Sequence, residues 1–331
     1  MMVTEEIRFF VDNIMNKGNM LGLDKASLDV YFTTGLKSDE KPDILLQVDT
    51  YTAFGGFLEA LILKMEKDAE QGDVGGAEWV INEYRVFVDD IKKYEGEIIK
   101  HTKKYFDKIN NIAESIRKLG RNVRIHVSEI STGVELYFSG RYEILRNHIV
   151  RKINELSAEG IEDVVVLSPF EYSLYVKRYL SQLTMAPFNF KFYLDFVRKN
   201  VERIRVPDGK KIVIFEPYSA PISLFPPDVR DFAMGLLLRI EDLLMKIDGV
   251  SVERKEYDGP PIGYEQLWMI NPLVAVSMAR SILSRYSDMV VVTYRTSTAM
   301  ILNVARELYG IDVDVYDYAD FISRVVLGAE L

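Results

Sequence analysis

The sequence predicts an α/β protein built as two similar halves, each a parallel sheet flanked by helices. Three observations carry this. Short β-branched runs alternate with longer segments of helical period, the pattern of parallel α/β architecture and not of a bundle or sandwich. The order strand, helical segment, strand, loop, helix, strand can be read twice along the chain. Between the two passes, Pro207-Asp208-Gly209 gives a turn signal, and the domain boundary is placed there. With 331 residues, 48% of them hydrophobic, the chain can bury roughly three quarters of its unfolded surface, enough for two domains without covalent staples.

Residues 1–40 read as an N-terminal helical arm, 41–206 as the first domain and 207–331 as the second. The first strand is expected over Asp43–Val48. Residues from about Phe57 to Lys108, rich in Lys, Glu, Asp, Tyr and Phe, predict an extra helical insertion, a hairpin turning at Gly72 to Gly76. It reads either as a solvated, self-packing decoration or as an apolar stripe that docks a partner. A turn at Gly120-Arg121-Asn122 leads into a strand over Val123–Val127, followed by a helix from about Tyr142 to Leu156 and a strand over Asp163–Leu167. The second half gives strands over Lys211–Phe215, Val250–Glu253, Met289–Val292 and Val313–Tyr316. Its helices run from about Val229 to Ile247, from Pro272 to Ser284, and from about Ser297 to Leu308, where Gly310 is the stop.

Composition limits the chemistry. The net charge of -9 argues against a broad phosphate-binding face, so no nucleic-acid partner is expected. The start, Met1 to Glu6, lacks a signal-peptide pattern, and no uncharged apolar run approaches the roughly 20 residues of a transmembrane segment. The most apolar stretch, Phe232 to Met245, is interrupted by Arg239, Glu241 and Asp242, as in an amphipathic core helix. A cytoplasmic location is expected, with any membrane attachment made through partners. The chain has no cysteine, which removes disulfides, thiolate zinc sites, thiol nucleophiles and cysteine-ligated iron-sulfur clusters. His101, His126 and His148 form no ligand pair, and the chain contains neither a Gly-x-Gly-x-x-Gly nor a Gly-Lys-Ser/Thr phosphate loop. No cofactor and no metal site are therefore expected.

Several short segments nonetheless fall in a definite order. They are Asn16-Lys17-Gly18-Asn19-Met20-Leu21-Gly22, the strand ending Val48-Asp49-Thr50, the triplet Ser131-Thr132-Gly133, and the run Val165 to Tyr172 with Ser168-Pro169-Phe170-Glu171 at its centre. In the second half come Phe215-Glu216-Pro217-Tyr218, Pro260-Pro261, Asn271-Pro272, and Val290 to Thr293 leading to Arg295 and Thr298. This order resembles that of the cysteine-rich, CCG-domain iron-sulfur oxidoreductases of the heterodisulfide reductase type, which place cysteines in all of the corresponding segments but the first, a Gly-Asn-Pro-x-Gly lead-in, and the Asn-Pro helix start. The resemblance implies two tandem Rossmann-like CCG-type domains, noncubane iron-sulfur clusters in at least some members, and electron transfer to a disulfide, quinone or flavoprotein partner. It puts Thr50, Ser131, Thr132, Ser168, Glu171, Tyr218, Pro260, Pro261, Arg295 and Thr298 at the family's ligand positions.

Cluster iron needs soft thiolate donors, which these residues cannot replace. The expected function is therefore a non-catalytic or scaffold subunit of a heterodisulfide reductase-like or related dehydrogenase assembly, with iron-sulfur or flavoprotein subunits as partners. The alternative is an enzyme or small-anion binder using the vacated clefts at the C-terminal strand ends, with Arg295 holding the anion and Ser131, Glu129, Glu171, Glu216 and Tyr218 adding polar groups. A plainer reading makes the same residues loop and capping groups, Ser131 and Ser297 among them. A homodimer formed through the helical block is a further alternative.

Overall fold

The computed structural model describes residues 5–48, 50–70, 76–131, 133, 136, 141–179, 188–201, 205–215, 226–254, 271–287 and 289–328. Two four-stranded, all-parallel sheets form its framework. In the first lobe β1 (Ile44–Val48), β2 (Val123–Val127), β3 (Asp163–Val166) and β4 (Asn189–Phe192) lie in the order β2-β1-β3-β4. In the second lobe β5 (Arg205–Ile214), β6 (Asp248–Arg254), β7 (Val290–Thr293) and β8 (Asp314–Asp317) repeat it as β6-β5-β7-β8. Parallel strands covered on both faces need apolar side chains on both. Accordingly Ile44-Leu45-Leu46 and Val290-Val291-Val292 are wholly buried, and the one polar residue inside β1, Gln47, is matched by the Tyr175 hydroxyl at 2.6 Å.

The arm is α1 (Glu5–Lys17) and α2 (Lys25–Phe32); Asp24 caps α2 by accepting from the Ser27 amide at 2.9 Å. Between β1 and β2 run α3 (Thr50–Ala69), α4 (Gly76–Asp89) and α5 (Glu95–Arg117). Residues 71–75, which hold most of the turn expected between α3 and α4, lie outside the described residues. The helical block is the crossover of a parallel sheet and not a solvated decoration: residues 51–62 are all buried, and α3 packs on α5. Gly55 and Gly56 allow this approach, since a Cβ on Gly56 would lie 2.4 Å from the Thr102 backbone.

The rest of the first lobe is α6 (Tyr142–Ala158), the short α7 (Pro169–Leu174) and α8 (Tyr193–Val201). The second lobe carries α9 (Pro227–Met245), α10 (Pro272–Leu283), α11 (Thr296–Tyr309) and α12 (Tyr318–Leu327). Asn271 caps α10 at 3.1 Å with Pro272 at its first turn, and Gly310, at φ 60°, ends α11. Helix α9 is amphipathic, as its charges predicted: Ala233, Leu236, Leu237, Ile240, Leu243 and Leu244 are buried while Leu238 and Met245 are exposed. Among the described residues no helix is long and apolar enough to cross a membrane.

One boundary needs correcting. Pro207-Asp208-Gly209 is not a turn between domains but lies within β5, whose pairing with β6 shifts register between Arg205 and Lys210. An irregular stretch in a sheet can absorb the residues that a turn would otherwise use. The sheets themselves divide between Phe192 and Arg205, around α8.

The lobes exchange helices reciprocally. The helix following the first strand of one lobe packs on the helix following the third strand of the other, α3 on α11 and α9 on α7. The helices following the two fourth strands, α8 and α12, pack on each other, and α5 packs on α12. Buried side chains form one continuous core through both lobes.

Candidate functional site

Four strand-to-helix junctions meet where the lobes join, at the C-terminal strand ends that α/β folds use for sites. From the first lobe come the start of α3, with Tyr51 and Thr52, and the Leu167–Glu171 segment opening α7. From the second come Tyr294–Ser297 opening α11 and Asp317–Ala319 opening α12. Together with Lys108 of α5 they line a cleft at the joint.

The floor of this cleft is a buried polar network. Lys108 and Asp317, whose side chains are 7% and 3% exposed, form an ion pair between Nζ and Oδ2. Lys108 Nζ also donates to Thr296 Oγ1 at 3.2 Å and Thr52 Oγ1 at 3.3 Å, while Thr296 donates to Asp317 Oδ2 at 2.7 Å. The other Asp317 oxygen caps α12 by accepting from the Asp320 amide at 3.0 Å. Burial alone would push the Asp317 carboxyl upward; the Lys108 charge and these hydrogen bonds outweigh it and hold the group below its ordinary value. Asp320 moves the other way, raised by burial and by Asp317 despite Arg324 at 2.9 Å. A second pocket, lined in part by Lys104, Asn303 and Arg306, opens behind the same ion pair.

The structure brings three of the sequence-derived positions together here. Ser168 caps α7, its Oγ accepting from the Glu171 amide at 3.3 Å, and Glu171 itself is buried at the rim. Arg295, 6% exposed, places its guanidinium over the Phe170 ring of the other lobe at 5.7 Å. The Tyr318 hydroxyl donates to the Leu167 carbonyl, again across the joint. Thr50 begins α3 beside this cleft, and Thr298 is buried in the first turn of α11 but does not line it. Thr132, Tyr218, Pro260 and Pro261, like Glu216, lie outside the described residues.

Ser131 lies apart from the cleft lining, against His148. His148 Nε2 is 2.7 Å from the Ser131 carbonyl and 3.2 Å from its Oγ. The shorter contact requires that Nε2 carry the proton and donate it to the carbonyl, so this nitrogen cannot accept a proton from the hydroxyl, and the pair is no nucleophile and base. The loop is also held by Lys152, fully buried, which donates to the Ile130 carbonyl at 2.9 Å and to Glu155 at 3.1 Å. Glu155 in turn accepts from the Glu129 amide at 2.6 Å, and Glu129 pairs with Lys25 of α2 at 2.7 Å.

Burial depresses the His148 pKa from 6.5 to about 4, outweighing the bond to Ser131 that favours its charged form. The unfolded chain therefore takes up a proton near pH 6.5 that the folded chain refuses until about pH 4. Stability is fully present above the higher value and falls with pH through that window, by about 3 kcal/mol for this group alone. Urea midpoints recorded from pH 7 to 4 should show the decline, and His148→Gln should flatten it; equal slopes in the two proteins would remove His148 as the cause.

Sequence reasoning missed Lys108, Asp317, Thr52 and Thr296. One signal was present. Tyr193-Leu194-Asp195-Phe196 and Tyr318-Ala319-Asp320-Phe321 are copies of one Tyr-x-Asp-Phe junction from the fourth strand to the following helix. Aligning them sets Asp317 opposite Phe192, an acid where the first lobe has a fully buried ring. Among the described residues no group of three or more His, Asp and Glu side chains is placed to hold a metal ion. No family model matches the chain, and no curated protein matches it either.

Proposed function

We propose that the chain is a non-redox, two-lobed scaffold subunit of a heterodisulfide reductase-like or related dehydrogenase assembly, acting in the cytoplasm and reaching a membrane only through its partners. The observation that supports this reading is the use made of the residues standing where the resemblance puts cluster ligands. Ser168 caps α7, and Arg295 lies on Phe170 across the joint. Beside them, the Lys108–Asp317 network ties α5 and α3 to α11 and α12. Oxygen and guanidinium groups are poor donors for cluster iron but good ones for fixing two lobes in one orientation. A subunit of this kind offers partners a surface of constant shape and carries no electrons itself.

Affinity purification from the native cells should recover iron-sulfur or flavoprotein subunits in fixed ratio, while the chain purified anaerobically by itself contains no stoichiometric iron. A bound cluster seen by elemental analysis and electron paramagnetic resonance would overturn the proposal, as would a partner-free monomer under native conditions.

A further inference from the structure

Helix α11 starts differently from its neighbours in the cleft. Asp317 caps α12 and Ser168 caps α7, whereas the residue at the α11 N-cap is Arg295, whose side chain makes no capping hydrogen bond. A helix start leaves N–H groups without intrahelical acceptors and carries roughly half a positive charge. In a helix of 14 residues this end is a standing attraction for an anion.

A second, independent feature lies in the same place. Ser297, in the first turn of α11, lines the cleft at 1% exposure, and among the described residues its hydroxyl has no hydrogen-bond partner. Neighbouring hydroxyls, those of Thr52, Thr293 and Thr296, are all satisfied. Buried hydroxyls are nearly always paired, because an unpaired one forfeits its bonds to water without compensation. A group left so, in the first turn of a helix whose N-cap side chain makes no capping bond and lining a cleft, is suited to an acceptor that the described residues do not supply.

The charges around the cleft narrow the class of occupant. The lining balances two cations, Lys108 and Arg295, against two anions, Asp317 and Glu171. Such a lining has no excess positive charge to offset a dianion, whereas a single negative charge can be met by the partial positive charge of the α11 start. The geometry points to a binding site for a small monocarboxylate, its oxygens accepting from Ser297 Oγ and the first turn of α11. This site does not depend on the assembly reading above: a scaffold can work with or without a ligand at its joint, and the two fail separately.

Acetate is the probe, with acetamide as its neutral counterpart and chloride at equal ionic strength as the control for charge alone. Acetate should raise the thermal midpoint of the full-length protein with increasing concentration, and acetamide and chloride should not. Ser297→Ala removes an unpaired hydroxyl, so its unliganded midpoint should not fall, while its apparent affinity for acetate drops about tenfold or more. Ser297→Thr, which keeps the hydroxyl, should retain the response. Saturation transfer from the native protein to the acetate methyl protons gives a reading that needs no variant. Absence of that transfer, an equal response to chloride, or an undiminished response in Ser297→Ala would each overturn the site.

Discussion

Lys108→Met should lower the free energy of unfolding by about 3–5 kcal/mol, because it strands a carboxylate in a place that water barely reaches. Asp317 is 4% exposed and would retain only Thr296 and the Asp320 amide as partners. The cost is that of a deserted charge and not the net worth of the pair, and a double-mutant cycle separates the two. Lys108→Met combined with Asp317→Leu should recover much of the loss, though not the contribution of the α12 cap, about 1 kcal/mol. The pH dependence has a definite sign. Asp317, held below its ordinary value in the fold, contributes stability above the unfolded carboxyl range and loses it as pH falls through its folded value. That part of the acid limb should shrink in the Lys108→Met variant. Denaturant titrations at neutral pH check the main effect, and a loss under about 1 kcal/mol would show that the ion pair does not hold the joint.

Gly56→Ala should destabilise by about 3 kcal/mol, at the upper end of what overpacking normally costs. Its new methyl would lie 2.4 Å from both the Cα and the amide nitrogen of Thr102, and backbone atoms cannot swing aside as a side chain can. Relief requires α3 to move off α5, and α3 is also packed on α10 and α11 of the other lobe. Gly235→Ala is the opposite case. This exposed glycine sits inside α9 with nothing within 4 Å of the added carbon. Alanine there should stabilise by about 1 kcal/mol through helix propensity alone. Thermal and denaturant midpoints of the two variants should therefore move in opposite directions; a shared sign would mean that the α3–α5 approach does not control the first.

The strands easiest to read were those whose sequence alone demands burial, such as Ile44-Leu45-Leu46 and Val290-Val291-Val292, and they lie where expected. Strand β4 was missed because four residues alternating Asn-Phe-Lys-Phe carry too short a pattern to separate from a loop. Helices α8 and α12 were missed although Asp317, Asp320 and Gly328 mark both ends of the second. The Pro-Asp-Gly signal misled because turn chemistry is local, whereas the strand that contains it is anchored to β6 on either side, at Arg205 and from Lys210 onward, some 40 residues away in sequence. At the site, Ser168, Glu171 and Arg295 could be reached by following the strand ends. Lys108 could not, since nothing near it in sequence announces a partner 209 residues away.

The reciprocal exchange of helices has a bearing on descent. When each half offers the other the same pair of surfaces, the arrangement is that of an isologous homodimer, where one patch meets its own copy about a two-fold axis. A duplicated gene for a single lobe would yield this chain once its products were joined through the α8 region, and the α8–α12 contact would mark the old axis. Tandem fusion frees the copies to differ at positions that identical subunits must share. With Phe192 in one lobe and Asp317 at the corresponding place in the other, the Lys108–Asp317 link lies on one side of such an axis, a placement that two identical subunits could make only twice over.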